Sequence, residues 1–588
     1  MERPAVPRRT ALVCAISAGL SVLICAPLFV LPNGVGHYDW DQHTFYYASV
    51  LRSVVEYGQW PFWNPWYCGG NVLWQNPQVP LLSPAYPLAL VFSLPLAMKI
   101  NVVVHYWIGF VGMHLLLRQV AGVRFLPLAT YLSCVFVASG ALALHIAEGH
   151  AVFLPAFFLP LLLYWLFRAM SGGGLRDAVL AGGVLGLIVI NGGLHIIPMA
   201  VIGIGTIALT AAVVKRRWQP VLVALACGVA GFAYAAPKLV PVLTYIGSDR
   251  FQDDRALGLP DAMTSEMVGH AYLDPSQNRH THFPDQVYPW QEYGNYIGVP
   301  AALLIVAALL WMFFSTRQSA TRWFGVSLAV AAALFFAFSL GEFSPFAPAS
   351  LARVVPFLSK YRLPSRFTIG FVLFAATLVG WALRELSFDD ISSRRVRIVV
   401  AALCLIASGD LIWRNGSHFI GIFDQRPLDR GFRLLSRPPA PITDLKVDPY
   451  KQDAPMLRAM MAGRSTFLCY EPLKLKELAD ADRPLVFGDD SVRIVNSEFT
   501  PNRIDVDIEG GPETSHVFVN QNYADGWRST IGTAGTESKY KNIAVTVPAR
   551  AAGRLSIAFF PTGLTAGWVI FGVAVVASLW FMRFREMP

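Results

Sequence analysis

The chain has 588 residues, of which 54% are hydrophobic and only 14% charged, and its mean hydropathy is +0.47. That balance excludes a soluble globular protein and describes a chain that crosses a bilayer many times. The net charge of +9 sits mostly in short loops between apolar runs, so it speaks for topology and anionic headgroups, with no nucleic-acid partner expected.

The first apolar run, over about residues 11–31, can cross a hydrocarbon core of roughly 30 Å. It follows Arg3, Arg8 and Arg9, which predicts a cytoplasmic N-terminus. No small-residue cleavage site follows it, so it is expected to remain as an anchor. Further spanning runs lie at about 98–118, 125–147, 151–168, 177–193, 195–214, 218–236, 296–315, 323–340, 366–386, 397–413 and 563–582, making about twelve. Arg118 and Arg124, Arg168 and Arg176, Lys215 to Arg217, Arg317 and Arg322, Arg384 to Arg397, and Arg583 and Arg585 fall in alternate loops or the tail. All then face the cytoplasm. The proline-rich piece over about 81–96 would break this parity if it spanned, and it reads as re-entrant or interfacial.

The expected fold is a polytopic α-helical membrane protein with a C-terminal extracytoplasmic β-rich domain. The helical module covers 1–413, with outer loops at 32–97, 237–295 and 341–365. The β-rich domain covers 414–562, and 563–588 forms the last helix and a cytoplasmic tail. Ile504/Val506/Ile508, Val517/Val519, Ile543/Val545/Val547 and Leu555/Ile557/Phe559 alternate with polar residues as half-buried strands do. Asn522 to Trp527 supplies a turn between them. Cys14, Cys25, Cys134, Cys227 and Cys404 lie in apolar runs. Cys68 and Cys469 fall on the outer side, where a disulfide can persist, and their pairing is open.

The outer loops carry the chemistry. Tyr38-Asp39-Trp40-Asp41-Gln42 follows the first span directly. Read as an extended segment, its two carboxylates face one side and can address one site, one of them as general base; each can instead cap the helix that follows. Residues 43–57 read as an amphipathic helix lying at the interface. Trp60, Trp63, Trp66 and Trp74 suit an aromatic belt at the headgroups or stacking on a sugar. Arg353, Lys360, Arg362 and Arg366 crowd one outer loop against the positive-inside bias and are candidates to hold a donor phosphate, with Lys238 a further one. Trp40, Trp63, Asn64, Glu292 and Tyr293 are candidates for sugar or acceptor contacts. Asp39, Asp41, Glu148 and His150 are candidates for a divalent metal, Mg or Mn, whose requirement stays open. His105, His114 and His195 read as core or interface histidines. There is no Walker-type loop, dinucleotide fingerprint, His-Glu-x-x-His or Gly-x-Ser-x-Gly.

Taken with Gly58 to Pro65, Gly69-Gly70-Asn71, Asn76-Pro77-Gln78, Glu292 to Tyr296 and Arg362 to Phe367, the Tyr38 to Gln42 motif resembles the YfhO proteins, bacterial membrane proteins within the GT-C superfamily of glycosyltransferases. The resemblance covers nearly the whole chain. It implies a GT-C fold, an essential aspartate matching Asp39 or Asp41, and a polyprenyl-phosphate sugar as donor. The expected activity is transfer of that sugar to a cell-envelope glycan, lipid or protein at the outer face of the bacterial cytoplasmic membrane. An envelope scaffold and a lipid or polysaccharide translocator are the alternatives.

Overall fold

The computed structural model describes residues 6–67, 69–246, 262–283, 286, 288–314, 321–355, 358, 363–384, 394–427, 444–445, 454–461, 464–465, 484–536 and 542–584. Cys68, Lys360, Arg362 and Cys469 therefore lie outside the described residues.

Among the described residues, 8 helices are long and apolar enough to cross a membrane, or up to 9 if the bent pair Leu126–Val137 and Gly140–Glu148 forms one span. Val299–Met312 and Leu564–Trp580 are apolar but shorter. The protein is thus a multi-pass helical membrane protein. The expectation of about twelve passes counts the bent pair and the two shorter helices as spans and divides one further stretch in two. Ala151–Ile190 is one apolar stretch, but it bends at Gly172, where φ is +124°, and its arms Leu159–Arg168 and Gly174–Ile190 pack against each other.

Small residues set the closest helix crossings. A Cβ on Gly182 would lie 2.7 Å from the carbonyl of Cys227, so glycine lets Gly174–Ile190 pack on Gln219–Ile246. Leu564–Phe584 packs on the same long helix. That helix contains Pro237 and Pro241. Pro241 lacks the N–H that the Pro237 carbonyl would otherwise accept, and the Trp74 indole donates to that carbonyl at 2.7 Å. Nearby, Lys238 Nζ donates to the carbonyls of Trp74 and Asn76 at 2.7 and 2.6 Å. The buried ammonium and the prolines therefore fix the first long loop to the helix.

Two four-stranded antiparallel sheets make up the C-terminal β-rich part. One runs Thr533–Thr536, Asn542–Val547, Ser515–Asn522, Val486–Gly488; the other runs Val492–Thr500, Arg503–Gly510, Ala552–Phe559, Trp527–Ser529. The alternating residues read from the sequence are the buried ones, Ile504, Val506, Val517, Val519, Ile543, Val545, Leu555 and Ile557 among them.

Two readings of the first loop are corrected. The helix begins at Asp39, runs Asp39–Leu51, and is buried from Trp40 to Leu51, so it does not lie on the membrane surface. Helix Pro455–Met461 packs on it, and Arg52 Nη1 donates to the Met460 carbonyl at 2.6 Å. Among the four tryptophans, only Trp60 is exposed. Trp63 belongs to the sandwich core: its ring lies 5.1 Å from Trp527 and 4.9 Å from Phe559, and its Nε1 donates to Gln521 Oε1 at 2.6 Å.

Candidate active site

Asp39 occupies the first position of its helix, directly after a backbone kink. Tyr38 has φ +53°, a conformation that costs a bulky residue about 1–3 kcal/mol and persists where the surroundings impose it. Here the Tyr38 hydroxyl meets His280 Nε2 at 3.2 Å and the Arg279 guanidinium lies 5.2 Å from the ring centroid. The kink leaves the Asp39 carboxylate about one-third exposed (34%), with Oδ2 3.3 Å from His150 Nε2.

His150 reaches Asp39 because Gly149 ends helix Gly140–Glu148 with φ +99°. A Cβ at Gly149 would stand 2.2 Å from the Trp40 amide nitrogen, so only glycine permits this approach of two backbones. Trp40 completes the joint, its indole donating to the Ile146 carbonyl at 2.8 Å. It is fully buried.

Asp41 takes a different direction. Positions two apart on a helix diverge by roughly 200°, and the expected extended segment is helical here. The Asp41 carboxylate is buried, and its two oxygens accept the Met456 and Leu457 amides at 2.9 and 3.0 Å. It caps helix Pro455–Met461 from a distant part of the chain.

Behind Asp39 lies a layer of ionic and aromatic groups. Arg366 donates Nε and Nη2 to the two oxygens of Glu292, both at 2.8 Å, and Nη1 faces His195 Nε2 at 3.2 Å. Asn295 links the three segments involved, accepting from the Ala141 amide at 3.1 Å and donating to Thr368 Oγ1 at 2.9 Å. The Phe153 ring stacks on His145 at 3.9 Å and on His195 at 5.4 Å, with Arg366 5.2 Å from its centroid. His145 Nδ1 lies 3.0 Å from His150 Nδ1.

The electrostatics follow from these contacts. Burial pushes the Asp39 carboxyl up, but the hydrogen bond and charge of His150 outweigh it and hold the group below its usual range. Burial pushes His150 down, and Asp39 and Glu292 together raise it above the ordinary histidine value. Burial also opposes ionisation of Glu292, yet Arg366 and the nearby imidazoles keep it strongly acidic. Burial and the Arg366 charge hold His195 well below its usual value, so it is neutral and can accept from the guanidinium.

The other expected residues spread out. Arg353 is exposed and bonded to Glu342 at 2.6 Å. Asn64 is buried and donates to Ser49 Oγ at 3.3 Å. Tyr293 is buried beside Trp290, with ring centroids 6.2 Å apart. Glu148 points towards Arg279, 4.0 Å away. His105 and His114 bond the carbonyls of Asn101 and Phe110 in their own helix. Mg and Mn favour oxygen donors. With Asp41 committed to backbone amides and Glu148 turned to Arg279, the four residues expected to hold such an ion do not form an oxygen-donor site. His145, Phe153 and Arg279 were absent from the expectation, and His195 was assigned to the core. The one sequence signal was His145 and His150 flanking a Glu-Gly helix end.

No family model matches the chain, and no curated protein matches it. Among solved structures, the mycobacterial arabinofuranosyltransferase AftD, determined by cryo-EM, superposes with a TM-score of 0.45 at 13% identity, over 71% of this chain and 27% of that one. A mutant of the same enzyme gives 0.40 at 14% identity, over 70% and 28%. The chain thus spans little more than a quarter of those proteins' length. A likeness of this size leaves function to be argued from the site.

Proposed function

We propose that this protein is a GT-C-type glycosyltransferase that moves a sugar from a polyprenyl-phosphate donor to a cell-envelope acceptor at the outer face of the cytoplasmic membrane. The observation that carries the reading is Asp39: a partly exposed, ionised carboxylate, oriented by an imidazole, at a strained turn beside a membrane span. An acceptor hydroxyl attacks the anomeric carbon and gives its proton to Asp39. The bond from that carbon to the phosphate oxygen breaks, and polyprenyl phosphate leaves with the electron pair.

Asp41, which caps a helix, has no part in the proton transfer. Arg366 is a positioning residue for Glu292 in this scheme. The phosphate is assigned to Arg279, which lies against Tyr38 next to the base, where a positive group offsets the charge developing on the leaving oxygen; Lys360 and Arg362, outside the described residues, are the further candidates, and Arg353 is held by Glu342. Trp60, exposed on the first loop, suits the lipid headgroup depth.

The test is release of polyprenyl phosphate from a panel of polyprenyl-phosphate sugars, with a membrane extract as acceptor source. Wild type and Asp41→Asn are expected to release it, and Asp39→Asn to lose at least about a hundredfold in rate. Equal release by all three folded proteins would remove Asp39 from the chemistry.

A further inference from the structure

The proposed transfer uses Asp39, but it leaves unexplained why two imidazoles and a carboxylate converge behind it. One ligand atom from each of His145, His150 and Glu292 can be chosen so that all lie within 4.8 Å of one another. The Nδ1 atoms of His145 and His150 face each other at 3.0 Å. Two lone pairs cannot face each other at that distance unaided; a proton or a metal ion must lie between them. Two nitrogens bound to one tetrahedral zinc at about 2.0–2.1 Å lie about 3.3–3.4 Å apart, a few tenths of an ångström wider than the pair stands here.

We propose that His145, His150 and Glu292 form a binding site for a borderline transition-metal ion of the Zn2+ class. The donor set points to that class. Two imidazole nitrogens and one carboxylate suit zinc, whereas Mg2+ favours oxygen ligands and keeps much of its water. Three protein ligands leave a position open for water or substrate, as in catalytic zinc sites.

The surroundings supply a second and separate argument. A metal-bound histidine characteristically donates its other ring N–H to a carboxylate, and ligating carboxylates are themselves hydrogen-bonded. Both arrangements are present. With Nδ1 as the ligand atom of His150, its Nε2 faces Asp39 Oδ2 at 3.3 Å. Glu292 is held by two bonds from Arg366, which leaves each carboxylate oxygen a further lone pair. The His145 ring is fixed flat against Phe153, with an interplanar angle of 3°, and Gly149 locks the turn that carries His150. The frame is rigid and buried, as a tight site requires.

The site stands independently of the sugar-transfer reading. Full-length protein purified in detergent without a histidine tag, stripped with a chelator, would be titrated with Zn2+ against a chromophoric competitor. One Zn2+ per chain is expected, undisturbed by millimolar Mg2+. His150→Asn and His145→Asn should weaken binding by at least about a hundredfold, and Asp39→Asn by about ten- to a hundredfold through loss of the orienting bond. Since His145 is buried and its variant can fail to fold, Co2+ loaded into wild type gives a separate readout: visible bands and electron-nuclear couplings from two imidazole nitrogens. Absence of stoichiometric uptake by wild type, uptake without imidazole coupling, or equal affinity in folded variants would overturn the site. Zinc uptake without sugar transfer would remove the proposed function alone; sugar transfer without zinc uptake would remove this site alone.

Discussion

Arg366 and Glu292 form a bidentate ion pair inside the protein, with both nitrogen-to-oxygen distances at 2.8 Å. Both side chains are at least nine-tenths buried, so neither can regain water if its partner is removed. Arg366→Met or Glu292→Leu alone should each destabilise by about 3–5 kcal/mol, because an uncompensated charge remains. The double variant Arg366→Met/Glu292→Leu should recover much of that loss. Thermal unfolding in detergent, followed across the cycle, checks this. Additive losses would show that the two charges are not coupled.

The two aspartates at the start of the first long loop should separate cleanly. Asp41→Ala removes the acceptor for two amides of helix Pro455–Met461 and should cost about 1–2 kcal/mol, as capping losses do. Hydrogen exchange should rise at Met456 and Leu457 while exchange in the β-sandwich stays unchanged. Asp39→Asn should leave exchange at those amides as in wild type. An unchanged pattern in Asp41→Ala would mean that the cap does not hold this helix.

Gly149→Ala tests the joint between Asp39 and His150. Its φ of +99° and the 2.2 Å approach of a Cβ to the Trp40 nitrogen leave no room for relaxation, because the neighbour is backbone. The substitution should destabilise the protein by more than the ordinary surface mutation's 0.5 kcal/mol. In whatever fraction folds, it should reduce polyprenyl phosphate release as strongly as His150→Ala does. Wild-type release by Gly149→Ala would show that the close approach is dispensable.

How much of this was legible in the sequence varies by range of interaction. Strand faces were read correctly because Ile504, Val506 and Ile508 report burial through local alternation alone. The apolar spans were legible for the same reason. Asp39, His150, Glu292 and Arg366 were singled out one by one, but their meeting with His145 and His195 was not legible, because the six come from segments far apart in the chain and no local period links them. His195 lies at the start of an apolar helix, where a core role is the ordinary reading; only the arrival of Arg366, 171 positions later, gives it another. Asp41 was open to a capping reading, but the helix it caps was not foreseeable, because its partner amides lie more than 400 positions away. Trp63 misled because tryptophan in a proline-rich outer loop fits a membrane interface equally well.

Trp63 also gives the last prediction. It is fully buried, sits on the Trp63–Asn64 strand of the first loop, and packs against both Trp527 and Phe559 of the sandwich, which also touch each other. Around it, Asn502 receives the Trp63 amide at 3.0 Å and donates to the Trp60 carbonyl at 2.6 Å, and the Asn522 amide donates to the Gly69 carbonyl at 2.9 Å. Trp63→Ala should cost about 3–5 kcal/mol, the usual loss on emptying a buried aromatic site. Because the same loop carries Lys238's carbonyl acceptors, the loss should be felt in two places. Limited proteolysis should cut faster within the sandwich and also within residues 59–78, whereas Trp60→Ala, which removes an exposed ring, should leave both rates as in wild type. Faster cleavage in the sandwich alone would mean that the loop holds its shape through the helix containing Pro237 and Pro241, independently of the β-rich part.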